Sequence, residues 1–154
     1  MSKVKKHIAA KQNNSVKKSE NIVESRPLVS FNFKYLTDNK KFNFDYFKDM
    51  RIRHDAYKTL CDRLQELSAY DVMTLRGMSK QQGCEAIPYS DFNDSFQAVL
   101  NKVEIVSKDS KLLIFRFNKG NYRIIVKSGI LDKHENILHI IGFDFDYSAY
   151  DHGS

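Results

Sequence analysis

The sequence has little of what usually marks a disulfide-bonded, zinc-binding or membrane protein. Its 154 residues include only two cysteines, Cys61 and Cys84, too few for a disulfide framework or a cysteine zinc site. We expect both thiols to be reduced, as in cytosolic proteins. No apolar run approaches the about 20 residues that a membrane-spanning helix needs, and the first residues contain no apolar signal-peptide stretch. These absences predict a cytoplasmic protein with no membrane partner.

Motifs for common cofactor and metal chemistry are also missing. The chain contains no G-x-G-x-x-G, P-loop, H-E-x-x-H, G-x-S-x-G or C-x-x-C pattern. Three carboxylates near the end of the chain, Asp144, Asp146 and Asp151, have no second cluster with ligand spacing to complete a cation site. We therefore expect no cofactor and no metal site.

The positive charge is concentrated at the start of the chain. Residues 1–27 carry seven basic and two acidic side chains, a net charge of +5, whereas the other 127 residues carry 18 basic and 17 acidic ones, a net charge of +1. The first segment has no apolar periodicity, which predicts a disordered basic tail that either contacts nucleic acid or only adds solubility. We place one domain at 28–154, where the hydrophobic residues are dense enough for a core.

The pattern after residue 28 predicts an α+β domain. Residues 28–36 alternate as a half-buried strand, and 45–67 place apolar residues at three- and four-residue spacings, as in a long amphipathic helix. A short helix ending at Gly77 follows, and 79–94 reads as a loop with a short extended piece. Residues 96–106 are open to either helix or strand. We expect about four antiparallel strands, with a helical hairpin packed on one face.

Three consecutive strands are predicted near the end of the chain, at 112–117, 122–126 and 137–145. A two-residue or a four-residue turn between the first two strands gives the same register, which places Arg116 opposite Arg123. Like charges in such a pair are unfavourable by up to about 1 kcal/mol. An anion should therefore lie beside the two arginines. It is either a phosphate group or the carboxylate of Asp144 or Asp146.

The meander FRFNKGNYRIIV, followed by ILHIIGFDFDYSAYDHG, resembles the RelE/ParE superfamily of toxins. In that family a strand and a helical hairpin precede three or four antiparallel strands, and the last strand is followed by a short tail with Tyr or His. The matching residues are Arg116 and Arg123 in the hairpin, and Tyr150 and His152 after the last strand. The resemblance implies a toxin of a toxin–antitoxin or phage-defence system that cuts messenger RNA at the ribosome without a metal.

Metal-free RNA cleavage needs a base, an acid and cations that stabilise charge on the phosphate. On this hypothesis the catalytic residues are Arg116, Arg123, Tyr150 and His152, while Lys119 and Tyr147 contact RNA. Arginine suits phosphate because its planar fork stays charged, and histidine suits proton transfer because its pKa lies near neutrality. The partners would be RNA or the ribosome and an antitoxin protein.

An alternative interpretation is a non-catalytic binding module on the same fold, phage-encoded or accessory to a defence system. The aspartates at 144, 146 and 151 and the near-neutral charge of 28–154 favour this alternative, because a protein that grips RNA usually shows a basic face.

Overall fold

The computed structural model describes residues 26–129 and 134–152, which form a five-stranded sheet covered by helices on both faces. The strands are β1 (Ser30–Asn32), β2 (Cys84–Pro88), β3 (Lys111–Phe117), β4 (Tyr122–Ser128) and β5 (Ile137–Asp144). The helices are α1 (Met50–Leu67), α2 (Val72–Arg76) and α3 (Asp94–Leu100), with 3-10 turns at Lys80–Gln82 and Tyr89–Asp91. The predicted α+β class is confirmed. The predicted basic tail lies outside the described residues except for Arg26 and Pro27.

The strand order is β1-β5-β4-β3-β2. The predicted meander is confirmed, because β3, β4 and β5 pair antiparallel in sequence. Two features differ from about four antiparallel strands: β1 joins β5 in parallel, and the segment around 84–88 is a full edge strand paired with β3. Pro88 is tolerated there because it ends an edge strand, where a missing N–H leaves no ladder incomplete.

One face of the sheet packs under α1 and α2, which form the predicted helical hairpin, and we call it the α1 face. Its core joins Leu60 and Leu67 of α1 to Phe115, Ile124 and Phe143 of the sheet. Helix α1 begins at residue 50 rather than 45 because Asp49 caps it, accepting hydrogen bonds from the N–H groups of Arg51 and Ile52.

The buried stripe of α1 is narrower than its sequence spacing predicts. The three- and four-residue spacing predicts an apolar stripe that includes Met50, His54, Cys61 and Leu64. Met50 is 69% exposed, and His54 and Cys61 are also exposed, so this prediction is wrong for those three residues. Leu64 packs only partly against the core. The fully buried residues of the helix are Ala56, Leu60 and Leu67, and all three lie after its first turn.

The other face of the sheet, called here the α3 face, is covered by a second core. Phe96, Val99 and Leu100 of α3 pack with Leu112, Ile114, Ile125 and Ile141. This corrects the expectation that helices cover only one face. It also settles the open segment 96–106, which is helical to Leu100 and then turns, with no strand at Val103–Val106.

A bulge in the β4–β5 pairing sets the position of the end of β5. Ile125 pairs with Gly142 but Val126 pairs with Ile140, so Ile141 is the extra residue. A Cβ at Gly142 would lie 3.1 Å from Phe96 Cε2 and 3.2 Å from the Phe42 carbonyl oxygen, so only glycine fits there without a shift. The strand then continues to Asp144, which pairs with Arg123.

The first predicted strand is shorter than its alternating pattern. Only Ser30–Asn32 pairs with β5, and the chain then turns, with the Leu36 N–H donating to the Phe33 carbonyl. Phe33 is consequently 44% exposed. None of the described helices is both long and apolar enough to cross a membrane.

Candidate anion-binding site

A polar row crosses three adjacent strands on the α3 face. Arg116 of β3 pairs with Arg123 of β4, and Arg123 pairs with Asp144 of β5. The predicted arginine pairing is confirmed, with residues 118–121 forming the four-residue version of the turn. Phe115 and Ile124, which pair next to it, belong to the opposite core, so both arginines leave their strands on the α3 face. Arg116 also lines a groove that residues of α1 border, near the edge of the sheet at Gly83.

Arg123 is the more buried member of the pair. Only 5% of it is exposed, yet its guanidinium has no carboxylate within 4.0 Å among the described residues. Its Nη1 donates to the carbonyl oxygens of Gly120 and Tyr122, whereas its buried Nε has no hydrogen-bond partner. A buried charged donor without an acceptor costs free energy, which an anionic ligand would offset.

Arg116 is half-buried and less constrained than its neighbour. Its Nε is also buried without a partner, and within the described ranges its guanidinium has neither an ion pair nor a hydrogen bond. Two cations therefore lie opposite one another with unused donors, which is the arrangement that a phosphate with several acceptor oxygens could bridge.

The aspartates do not neutralise the arginines by direct contact. Asp144 is 1% exposed, and its carboxylate accepts hydrogen bonds from the N–H groups of Ser148 at 3.0 Å and Ala149 at 3.1 Å. Asp146 accepts from the hydroxyls of Tyr46 and Ser148. The carboxylate at 144 thus holds the chain that follows β5 in place, and the ion-pair interpretation of this cluster is not realised in the described contacts.

The segment after β5 folds back over the row and brings three predicted residues together. The rings of Tyr150 and His152 stack at a centroid distance of 4.0 Å, and Tyr147 meets His152 edge-on at 4.7 Å. The Arg123 guanidinium carbon lies 5.3 Å from the centre of the Tyr147 ring. Tyr147 is 50% exposed and has a φ of 61°, a strained conformation that points to a functional role.

His152 is held by the carboxylate beneath it. Its Nε2 lies 3.1 Å from Asp144 Oδ2. Because a carboxylate can only accept, the neutral ring carries its proton on Nε2, which leaves the Nδ1 lone pair as an acceptor. Burial lowers the pKa of His152, and Arg123 acts in the same direction, while Asp144 acts against both. The ring is therefore neutral at pH 7 and suited to accept a proton.

Tyr150 is part of the core as well as of the cluster. It is 2% exposed, and its hydroxyl donates to Glu85 at 2.7 Å. Burial and the Glu85 carboxylate raise the pKa of Tyr150 above its ordinary value, although Arg123 opposes them. A buried tyrosine with an engaged hydroxyl can orient the stacked His152 ring.

Sequence reasoning missed Glu85. It lies on β2, which was predicted as a loop with a short extended piece, and its pairing with Ile114 places it on the α3 face beside the arginines. Lys80 Nζ lies 3.9 Å from its other carboxylate oxygen. The signal that could have found it is the short run from Cys84 to Pro88, which is long enough for one edge strand.

Lys119 lies apart from the stacked rings, at the tip of the β3–β4 turn. It is exposed and has a φ of 56°, next to Asn118 with a φ of 50°. Together with Arg116 and Arg63 it lines an open groove of about 810 Å³ between this turn and α1. Arg116 is the member of the arginine row that lines this groove, and Asp55, Asp62 and Glu66 of α1 line it as well. Lys119 is therefore placed to contact a ligand outside the row itself.

Among the described residues, no group of three or more His, Cys, Asp or Glu side chains is arranged to hold a metal ion. The chemistry that this cluster can carry out with its own groups is anion binding by the two arginines and proton acceptance by His152.

Comparisons with protein-family models, with curated proteins and with solved structures find no match to this chain. The RelE/ParE resemblance therefore remains a hypothesis based on the residues of the terminal meander. The geometry of the arginine row and its neighbours indicates which chemistry the chain can carry out.

Proposed function

We propose that the arginine row binds an RNA phosphate, and that the protein is a RelE-like toxin that cuts RNA without a metal. The observation that supports this most strongly is the pairing of Arg116 with Arg123, each with a buried, unpartnered Nε and no carboxylate within 4.0 Å in the described chain. A buried arginine beside a half-buried one, neither with a carboxylate in direct contact, is explained if the counter-ion belongs to a ligand.

The neighbouring side chains supply the other roles that RNA cleavage requires. Neutral His152 removes the proton of a 2′-hydroxyl through Nδ1, the resulting oxygen attacks the adjacent phosphorus, and the bond to the 5′ oxygen breaks, with water supplying the proton to the leaving oxygen. Arg116 and Arg123 stabilise the charge that develops on the non-bridging oxygens. Tyr147, exposed beside Arg123, offers its ring to an unpaired base.

Two residues act through others in this proposal. Asp144 fixes the tautomer of His152, and Tyr150 supports the His152 ring from below by stacking. Lys119, at the turn, adds a contact to the RNA backbone outside the cleaved phosphate.

A non-catalytic binding module is the second candidate, and the engagement of Tyr150 favours it. The hydroxyl that the toxin hypothesis assigns to catalysis is buried and donates to Glu85. On this alternative the same arginine row holds a phosphate or carboxylate of a partner and no bond is cut.

The test combines induced expression in a bacterial host with an RNA cleavage assay in chelator. We expect growth arrest and cleavage products for the wild-type chain, and neither for His152→Gln, because that change removes the base while leaving the arginines in place. Arg51→Gln changes an exposed arginine of α1 that is not part of the row, so this variant is the matched control and should behave as wild type.

Three outcomes separate the candidates. Cleavage that disappears in His152→Gln supports the toxin. RNA binding without cleavage in the wild-type chain supports the binding module. Absence of any RNA binding contradicts the assignment of RNA to the arginine row.

A further inference from the structure

A second cluster of cations lies at the other end of β3. Arg76 of α2, Lys111 of β3 and Lys127 of β4 line a cavity of about 600 Å³. Lys111 and Arg116 are five residues apart on the strand, about 17 Å. Neither Arg116 nor Arg123 lines this cavity, so it is separate from the arginine row.

The three cations have no counter-ion in direct contact. Within residues 26–129 and 134–152, no carboxylate oxygen lies within 4.0 Å of Arg76, Lys111 or Lys127. Of the two carboxylates that line the cavity, Glu85 is already engaged with Tyr150 and Lys80, which leaves Asp109. Glu135, which does not line the cavity, acts on Lys127 from outside it.

Lys127 is the least exposed of the three and the most informative. It is half-buried, and among the described residues its Nζ donates only to the carbonyl oxygen of Ser128. Burial lowers the pKa of Lys127, and the nearby Arg76 lowers it further, while Glu135 acts in the opposite direction. A fold that holds a half-buried lysine beside an arginine gains stability when an anion enters between them.

The floor of the cavity is apolar. Cys84, Leu113 and Met78 line it, and Cys84 is 3% exposed, with its thiol donating to the Leu75 carbonyl. Burial raises the pKa of Cys84 to about 11, so the floor carries no charge at neutral pH. Ser107 and Ser110 also line the cavity, and their hydroxyls lie 3.4 Å apart, so one of the two can donate to a ligand oxygen while the other donates to its neighbour.

We infer that this cavity is a binding site for a small organic phosphate monoester, with the phosphate held by Arg76, Lys111 and Lys127 and a compact apolar group resting on the floor. The excess of positive charge matches a dianion, and a serine hydroxyl provides a further donor for its oxygens. The volume lies within the range of small-molecule sites. This inference does not depend on the proposed action on RNA.

The experiment uses phenyl phosphate as the probe, with inorganic phosphate and phenol as its two halves, in a calorimetric titration of the full chain. We expect phenyl phosphate to bind more tightly than either half. Lys127→Met and Arg76→Gln should each weaken its binding by about tenfold or more, since each removes a charged hydrogen-bond donor. The matched control, Arg51→Gln, should leave its affinity unchanged.

Folding of the variants is checked by their unfolding midpoints, which should not fall for Lys127→Met because a like-charge contact with Arg76 is removed. Arg76 is exposed, so Arg76→Gln keeps the test valid if the first variant is unstable. Arg123→Met should leave the binding of phenyl phosphate unchanged.

Three results would overturn the inference. One is an affinity that is unaffected by Lys127→Met and Arg76→Gln. Another is binding that is lost in Arg123→Met, which would place the probe in the arginine row. The third is phenol or inorganic phosphate binding as tightly as phenyl phosphate, which would remove either the anionic or the apolar part of the site.

Discussion

Two rows of residues cross the same three strands one position apart, and they have opposite characters. Phe115, Ile124 and Phe143 form a row on the α1 face in which every side chain is fully buried. On the other face, the next row along consists of Arg116, Arg123 and Asp144. Both rows share one backbone register and one set of ladder hydrogen bonds.

The apolar row and the polar row are therefore separated by only one residue along each strand. Because side chains alternate across a strand, a shift of one residue exchanges the two rows, and the apolar row therefore fixes the position of the polar one. Packing alone explains the apolar row, whereas it does not explain the two arginines within the described fold. The predictions below separate what each row contributes.

The largest loss of unfolding free energy is expected for a substitution in the apolar row. Phe143→Ala removes a fully buried ring that packs on Phe44, Phe117 and Phe145, and should lower the free energy of unfolding by about 3–5 kcal/mol. Urea unfolding followed by circular dichroism measures it. A loss below about 1 kcal/mol would mean that the ring is not a core residue.

A smaller loss of unfolding free energy is expected for Asp144, the acidic residue of the polar row. Asp144→Ala leaves the N–H groups of Ser148 and Ala149 without their acceptor and releases His152, at a cost of about 2–3 kcal/mol in unfolding free energy. The matched control is Asp146→Ala, two residues along and exposed, which should cost less. Equal losses for the two variants would show that Asp144 has no special structural role.

The histidine next to the row should make stability depend on pH. Because the pKa of folded His152 lies below its ordinary 6.5, the unfolded chain binds the proton first as the pH falls. The contribution of neutral His152 to the unfolding free energy is therefore fully present above pH 6.5 and is lost as the pH falls toward the folded pKa. His152→Gln should remove this part of the decline in stability. Unfolding series from pH 8 to pH 5 test it, with His54→Gln on the exposed side of α1 as the control. An unchanged slope in His152→Gln would show that the ring is not shielded from water.

The smallest effect on stability is expected at the turn. Lys119→Ala removes an exposed side chain and should change the unfolding free energy by no more than about 0.5 kcal/mol. If Lys119 contacts the RNA backbone, the slope of log affinity against log salt should become shallower by about 1. An unchanged salt slope would remove Lys119 from the interface.

The arginine pair was predictable from the sequence because the turn and the alternation of apolar residues leave only one register for Phe115, Arg116, Arg123 and Ile124. The partners of Asp144 were not, since they depend on the path of the chain after β5, including the left-handed backbone at Tyr147. Such a path is set by contacts between distant segments and not by local pattern.

The arrangement of the helices was likewise predictable only in part. The helical spacing of Phe96, Val99 and Leu100 was visible, but not the face of the sheet that they cover. That choice follows from the apolar residues on both faces of β3, such as Leu112 and Ile114 opposite Leu113 and Phe115, which require cover on each side. The parallel pairing of β1 with β5 joins segments more than 100 residues apart. The periodicity of a local segment cannot predict such a pairing.

The most direct test of the central claim is a paired measurement on Arg123→Met, which keeps the apolar stem and removes the charge. If Arg123 exists to hold a phosphate, the unfolding free energy of the variant should stay within about 1 kcal/mol of the wild-type value. The variant loses hydrogen bonds to two backbone carbonyls and the contact with the Tyr147 ring, and it also loses the cost of a buried charge that has no carboxylate in direct contact. Its affinity for a short single-stranded RNA should fall by about tenfold or more. An unchanged RNA affinity together with a stability loss of about 3–5 kcal/mol, as expected when one partner of a buried ion pair is removed, would contradict the account.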